Sequence, residues 1–240
     1  MKRLGACCLF LSLGLMFHVL AGGSGSAKDF AEVKEALQAL QDYIGGWKGN
    51  GTSEKSKSEI WSEKVNWSWR FKGNDAWLSM DFAESKFYKS GDIRYLPDKR
   101  TYQLSLIDKK GQKTVFEGKL TGPKKDRLTL ERIDPDTKDT HQILMNMAGG
   151  GIRSVYTYSI KPENRTLYNK QWQVSFTKEG ESFGTAKKFT ECVVTGGLGT
   201  TAVSYKGVTY YVCCSGCRDA FLDTPEKYIA EFEAKKKKPK

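Results

Sequence analysis

The sequence predicts a mainly β protein in which an N-terminal helix and an antiparallel β-barrel are followed by a small α+β module. Apolar residues recur at helical spacing over residues 28–44, and from there to about residue 183 they alternate with polar residues, as in half-buried strands. The four cysteines beyond the N-terminal segment all lie within residues 192–217. The chain therefore divides into a long domain without thiols and a short cysteine-rich module.

The first residues have the pattern of an export signal. Lys2 and Arg3 give a positive start, a short apolar run follows, and a small-residue cleavage site ends at Ala21. We therefore predict a signal peptide over residues 1–21, with cleavage after Ala27 as the second choice. Because the apolar run is too short for a comfortable membrane span, we expect an exported protein, periplasmic or secreted, that does not span the membrane.

The formal net charge of +11 is concentrated at the two ends of the chain. Without the two basic residues of the signal and the lysines of residues 235–240, the folded body carries +4. We predict that residues 235–240 form a basic, solvated, disordered tail. Since export disfavours contact with nucleic acid, no nucleic-acid partner is expected.

One amphipathic helix is predicted over Lys28–Ile44. Its apolar positions recur at spacings of three and four residues, and Gly45-Gly46 ends the run. These apolar positions are Phe30, Val33, Leu37, Leu40 and Ile44.

Many short strands are predicted after this helix. Apolar and polar side chains alternate in runs such as Val65–Phe71 and Tyr102–Leu106, and turn signals such as Lys72-Gly73-Asn74-Asp75 separate the runs. Many antiparallel strands with one apolar face are typical of a barrel closed on itself. We therefore place a helix-plus-barrel domain at residues 28–186.

The segment Gly45–Gly51 has the pattern G-x-W-x-G-x-G. With a helix before it and strands after it, the segment resembles lipocalin-like or calycin-like barrels, in which Trp47 would close one barrel end. The resemblance implies an interior that is filled or that holds a small apolar ligand.

The string also resembles the start of nitrobindin-type haem barrels, but His141 lies mid-domain, whereas that family's ligand lies near the domain's C-terminal end. We interpret His141 as an ordinary polar residue.

A β-hairpin followed by two helices is predicted within residues 187–234. The strands Ala202–Tyr205 and Val208–Val212 flank a two-residue turn, and a helix opens near Cys217. A second helix is predicted to start at Thr224, whose hydroxyl would cap it, with a proline at the first helical position.

This module resembles a known family. The strings C-V-V-T-G, Y-K-G-V-T-Y-Y-V-C-C-S-G-C and F-L-D-T-P-E-K-Y-I closely resemble the YHS domain and the related TRASH domain, which are thought to bind or sense transition metals through cysteines. Twenty residues separate Cys192 from Cys213 and three separate Cys213 from Cys217, which fits the TRASH pattern. The resemblance implies that Cys192, Cys213 and Cys217 are metal ligands and that Cys214 is an accessory residue.

Three thiolates without a nearby histidine favour a soft metal ion, either Cu(I) in a trigonal site or Zn(II) with a fourth ligand. Cys214, Asp219, Asp223 or water could supply that fourth ligand. Because adjacent strand residues point to opposite faces, Cys213 and Cys214 are not expected to share one ion easily. The dipole of the helix that begins near Cys217 is expected to lower the pKa of its thiol.

Two other interpretations of the cysteines stay open. Exported cysteines commonly form disulfides, and four cysteines allow three pairings. Cys214-Ser215-Gly216-Cys217 is also a C-x-x-C at a helix start, the arrangement of thiol redox proteins, although the β-α-β context of a thioredoxin fold is missing. A metal site is the interpretation that we favour.

The sequence therefore predicts an exported transition-metal-binding protein that binds, delivers or senses copper or zinc. The expected partners are the metal ion and a metal-handling or envelope protein. We predict no catalytic residues and no enzymatic activity, since so few histidines allow no Ser/His/Asp arrangement. The alternative functions are a thiol–disulfide oxidoreductase that uses Cys214 and Cys217, and a carrier of a small apolar ligand in the barrel.

Overall fold

The computed structural model describes residues 27–56, 58–122, 126–180 and 190–237. The helices in these ranges are α1 (Ala27–Gln38), α2 (Ser215–Asp223) and α3 (Pro225–Lys236). The strands are β1 (Gly45–Ser53), β2 (Ile60–Lys72), β3 (Asp75–Glu84), β4 (Tyr88–Leu96), β5 (Thr101–Asp108), β6 (Lys113–Thr121), β7 (Arg127–Ile133), β8 (Thr140–Ala148), β9 (Arg153–Lys161), β10 (Asn169–Lys178), β11 (Thr201–Tyr205) and β12 (Val208–Val212).

Three features predicted from the sequence lie outside the described residues. They are the signal peptide at residues 1–21, the boundary between the two predicted domains near residue 186, and the tail beyond residue 237. Within the described ranges, no helix has both the length and the apolar character needed to cross a membrane.

Strands β1 to β10 form one closed antiparallel barrel in which neighbours in the chain are neighbours in the sheet. The barrel closes because β1 pairs with β10, with Gly49 opposite Phe176. A Cβ at Gly49 would lie 2.4 Å from the carbonyl oxygen of Ser175, so this close approach requires glycine. Closure removes the unpaired edges of an open sheet. The predicted fold, mainly β with a leading helix and a small α+β unit at the end, is confirmed.

Apolar side chains fill most of the barrel interior. Inward-facing positions alternate along the strands as predicted, and the largest fully buried ones are Trp47, Trp67, Trp69, Leu78, Met80, Ile93, Leu104, Leu128 and Leu130. A cavity lined by residues such as Met80, Leu106 and Met145 has a free volume of about 20 Å³, roughly the room for one water molecule. The barrel is therefore a packed core along most of its length.

The N-terminal helix ends earlier than predicted. α1 stops at Gln38 instead of Ile44, and a separate 3-10 turn follows and ends at Tyr43. Packing explains the early end: the ring of Tyr43 stacks on Trp67 with centroids 5.1 Å apart, and its carbonyl accepts a 2.7 Å hydrogen bond from Trp47 Nε1. Tyr43 and Trp47 are both buried where the chain enters β1.

The C-terminal module forms the predicted hairpin and two helices, with two differences. Pro225 begins α3, but the Thr224 hydroxyl makes no capping hydrogen bond. Instead, the Thr224 backbone N–H donates to the Ala220 carbonyl, which ends α2. α3 continues to Lys236, so the first two residues of the predicted tail are helical.

The module packs against both the barrel and α1. The first turn of α2 meets β2 so closely that a Cβ at Gly216 would lie 1.6 Å from the carbonyl oxygen of Trp69. On the other side, Lys34 of α1 forms a 3.2 Å ion pair with Glu231 of α3. Backbone contact on one side and a salt bridge on the other therefore fix the position of the module.

The core assignment is testable with a matched pair of substitutions. We expect Leu104→Ala to lower the free energy of unfolding by about 2–5 kcal/mol, because this fully buried side chain would leave a cavity. The control is Ile133→Ala, at a residue that is 67% exposed, which should change the same quantity by less than about 0.5 kcal/mol. Urea unfolding followed by tryptophan fluorescence measures both, and equal midpoints would contradict the assignment.

The contact between module and barrel leads to a second prediction. Gly216→Ala should push α2 away from β2, since the new methyl group would overlap the Trp69 carbonyl, at a cost of about 1–3 kcal/mol. Amide hydrogen exchange of β11 and β12 should then become faster, while exchange of the barrel strands stays the same. The control is Ser215→Ala at the preceding helix position. Identical exchange in the two variants would show that the backbone contact does not hold the module in place.

Candidate metal centre

Three different elements bring the cysteines predicted as ligands together. Cys192 lies in the turn that precedes β11, Cys213 directly follows β12, and Cys217 is in the first turn of α2. All three side chains are buried, and their sulfur atoms lie within 4.8 Å of one another. Residues that are distant in sequence thus form one compact thiol cluster.

A hydrogen-bonded turn positions Cys192. Its N–H donates to the carbonyl of Gly197 at 2.7 Å, and its carbonyl accepts from the N–H of Gly196 at 2.8 Å. Gly196 has a φ of 77°, a backbone conformation that favours glycine. The following residue, Val193, donates to the carbonyl of Tyr211 at 2.9 Å. The turn is therefore fixed against β12, and it carries the Cys192 thiol to the end of that strand.

Cys213 and Cys217 approach each other where β12 meets α2. Their Sγ atoms are 3.4 Å apart. Between them, Cys214 is the N-cap residue of α2 and has an extended backbone, and its Sγ lies 3.9 Å from that of Cys213. β12 ends at Val212, so neither Cys213 nor Cys214 is a strand residue, and the compact sulfur group contains Cys213 but not Cys214.

The spacing of the three buried sulfurs suits a single metal ion. A thiolate binds Zn(II) at about 2.3 Å, so two thiolates on one ion are at most about 4.6 Å apart, and about 3.8–4.0 Å apart in tetrahedral or trigonal geometry. The Sγ atoms of Cys213 and Cys217 are 3.4 Å apart, and no pair among the three sulfurs is more than 4.8 Å apart. The distances expected for thiolates on one ion lie between these two values. Because Cys192 and Cys217 are fully buried, an ion at this point would be shielded from water.

Hydrogen bonds among the thiols change their pKa values in opposite directions. The thiols of Cys213 and Cys217 donate to Cys192 and to Cys214 and lower the pKa of both acceptors. Donation to Cys192 and Cys214 raises the pKa of Cys213. Burial, together with hydrogen bonds to the other thiols, raises the pKa of Cys217, which is opposite in direction to the lowering predicted from the helix start. The cluster therefore favours thiolates at Cys192 and Cys214.

Thr195 supports the cluster, and the sequence analysis did not single it out. It is buried, and its Oγ1 lies 3.6 Å from the Sγ of Cys213. Its hydroxyl and backbone N–H also help to lower the pKa of Cys192. Thr195 is the fourth residue of the string C-V-V-T-G, so it belongs to the motif that the sequence analysis used. The string alone does not show that its hydroxyl faces the thiols.

Residues of the barrel domain hold the Cys192 turn from the opposite side. Gln38 Nε2 donates to the carbonyl of Thr195. Gln41 packs against Gly197, where a Cβ would lie 2.2 Å from the Gln41 Cδ. Gln41 also accepts a 3.0 Å hydrogen bond from Trp69 Nε1. These long-range contacts have no sequence signature, since they depend on how the module docks.

The residues considered for a fourth ligand take different positions. Cys214 is half-buried and close to Cys213, but it lies outside the group whose sulfurs are all within 4.8 Å of one another. Asp219 and Asp223 lie on α2 and line an open cleft together with Arg70 of β2. In the portion of the chain that the structure describes, neither aspartate belongs to the sulfur group.

The sulfur distances also bear on the redox interpretation. The four cysteines of the described ranges are free thiols, with Sγ separations of 3.4 Å for Cys213–Cys217 and 3.9 Å for Cys213–Cys214. The second cysteine of the C-x-x-C string, Cys217, is fully buried. A redox-active thiol is usually a partly exposed thiolate. Cys214, the first cysteine of the string, is half-buried and has a lowered pKa, so thiol exchange through Cys214 stays an alternative to metal binding.

His141 lies in β8, away from the thiol module in sequence. Its Nδ1 forms a 2.5 Å hydrogen bond with the Tyr158 hydroxyl of the neighbouring strand, and burial lowers the pKa of its imidazole. These contacts agree with the interpretation of His141 as an ordinary polar strand residue.

Comparison with known proteins connects the thiol module to a family. A search of curated proteins found no match. Among solved structures, the chain is similar to the crystal structure of Rv2717c from M. tuberculosis, with 15% identity, a TM-score of 0.37, and coverage of 60% of this chain and 97% of that one. Residues 200–231 match the family model of the YHS domain. The segment that contains Cys213, Cys214 and Cys217 thus matches the YHS domain, and it follows a closed ten-stranded barrel.

Proposed function

We propose that the protein binds one soft transition-metal ion through the thiolates of Cys192, Cys213 and Cys217. The observation that carries this proposal is the buried cluster in which all three sulfurs lie within 4.8 Å of one another. Structural cysteines that only fill a core need not converge in this way, whereas ligands of one ion must. The YHS match over residues 200–231 independently supports metal binding.

Copper and zinc are the metals that fit this donor set best. Thiolate sulfur is a soft ligand that selects Cu(I) and Zn(II), and no His, Asp or Glu side chain joins the three sulfurs in the described ranges. Three sulfurs complete a trigonal Cu(I) site, whereas Zn(II) requires a fourth ligand such as Cys214 or water. Cu(I) therefore needs the fewest additional ligands.

We also propose that the protein acts outside the cytoplasm. Support comes from the export pattern at the N-terminus, with its positive start, short apolar run and small residues before the cleavage site. In such a compartment, a buried site protects its thiolates from oxidation better than an exposed one does, because oxidation depends on access to the sulfur. The full burial of Cys192 and Cys217 is consistent with this role.

The proposed role is to bind, deliver or sense the metal in partnership with a metal-handling or envelope protein, and it includes no catalytic step. The barrel serves as the scaffold for the module. Gln38 and Gln41 hold the Cys192 turn, and the backbone at Trp69 supports the first turn of α2. The alternative role of carrying an apolar ligand has less support, because the interior cavity has only about 20 Å³ of free volume.

Metal content provides the test of this function. Purified under anaerobic conditions without chelators, the protein should contain close to one copper or zinc ion per chain, or take one up when Cu(I) or Zn(II) is added. The triple variant Cys192→Ser, Cys213→Ser, Cys217→Ser should bind none, because a serine hydroxyl is a poor ligand for a soft metal. Elemental analysis with a parallel count of reactive thiols measures both.

Two controls make this result interpretable. Ser204→Ala, at an exposed position of β11, alters the same module without removing a sulfur and should leave the metal content unchanged. The near-ultraviolet circular dichroism of the buried Trp47, Trp67 and Trp69 should be the same in the triple variant, which would show that the barrel is still folded. Full metal content in the triple variant, or a wild-type protein with free thiols that binds neither metal, would contradict the proposal.

A further inference from the structure

Cys214 differs from the three cysteines of the buried cluster. Cys192 and Cys217 are fully buried and Cys213 is 9% exposed, whereas Cys214 is half-buried. Its Sγ lies 3.9 Å from that of Cys213, but it is not a member of the compact group. Among the four thiols, Cys214 is therefore both the most accessible and the least integrated into the cluster.

The sulfur–sulfur distances allow Cys213 to share a metal ion either with Cys214 or with Cys217 and Cys192. Two thiolates can share one ion only when their sulfurs are within about 4.6 Å of each other. Cys213 meets this condition with Cys214 at 3.9 Å and with Cys217 at 3.4 Å. An ion held by Cys213 and Cys214 thus needs to move only a short distance to be held by Cys213, Cys217 and Cys192, and Cys213 never has to release it.

The position of Cys214 in the fold also suits contact with an external donor. It is the N-cap residue of α2, at the junction of the module with β2. Because the sulfurs of Cys192 and Cys217 have no exposed surface, a metal carrier can approach the cluster through Cys214 without opening the core.

We propose that Cys214 is the capture thiol of the metal site: it takes the soft metal ion from a thiolate-bearing carrier, passes it to the buried cluster, and receives it again on release. This inference rests on the proposed function. It assigns Cys214 a kinetic role, in contrast to that of a permanent fourth ligand.

The transfer is a series of ligand exchanges. Cys214 forms a metal–sulfur bond as one carrier–metal bond breaks, and Cys213 then replaces the second carrier sulfur. Next, the bonds to Cys217 and Cys192 form as the bond to Cys214 breaks. Each thiol that binds the ion gives its proton to water, and each sulfur that leaves the ion takes up a proton. The oxidation state of the metal does not change, so no oxidant or reductant is required.

The test compares the rate of metal loading with the affinity at equilibrium. Cu(I) bound to glutathione, a thiolate carrier, is mixed anaerobically with the metal-free full chain, and the change in ultraviolet absorbance as Cu(I) passes to the protein is followed in a stopped-flow instrument. Cys214→Ser should load several-fold more slowly than the wild type, because the thiol that first takes the ion is lost, while metal stoichiometry and affinity stay the same. Serine is a favoured N-cap residue, so this change should preserve α2.

Cys192→Ser is the matched control, since it also replaces one cysteine by serine but keeps the Cys213–Cys214 pair. This variant should retain rapid first capture and lose affinity at equilibrium. Equal loading rates for Cys214→Ser and wild type would overturn the capture role. A loss of affinity in Cys214→Ser would overturn it too, because Cys214 would then be a permanent ligand. In both cases the wild type still binds metal, whereas failure of the proposed function would leave it without metal.

Discussion

The hydrogen-bonded turn at residues 192–197 is the constraint on which the candidate metal site depends. Cys213 and Cys217 are brought close by local structure, because a strand end leads directly into a helix. Local structure does not place Cys192 beside the other two thiols, since twenty residues separate it from Cys213. Two backbone hydrogen bonds within the turn and a third from Val193 to Tyr211 hold its thiol beside the others. Without this turn, the buried sulfur group would have two members, Cys213 and Cys217, in place of three.

The barrel contributes to the site without supplying a ligand. Gln38 bonds to the backbone of the turn, Gln41 packs against it, and the α2 backbone at Gly216 lies directly on the Trp69 carbonyl. Positioning groups of this kind fix the orientation of metal ligands and usually matter almost as much as the ligands themselves. A packed barrel interior suits such a role, since a rigid support keeps its surface groups at constant positions.

Much of this architecture follows from local sequence patterns, and the remainder depends on tertiary contacts. Alternation predicts the barrel strands because one face of each strand is buried, and the motif resemblance predicts the cluster of Cys192, Cys213 and Cys217. Apolar spacing predicted a helix to Ile44, yet the packing of Tyr43 on Trp67 ends α1 earlier. The expected pKa of the Cys217 thiol was wrong because its burial is a property of the folded module, invisible in the helix start alone.

The most direct test of the account is a count of the sulfur atoms bound to the metal. X-ray absorption at the metal edge of the protein loaded with Cu(I), and separately with Zn(II), should show three sulfur neighbours at about 2.3 Å in each case, with one further oxygen neighbour from water for Zn(II). Substitution of Cys192 by serine should reduce the count by one. A first shell dominated by nitrogen or oxygen, or a count that does not change in this variant, would contradict the claim that the buried thiols form the metal site.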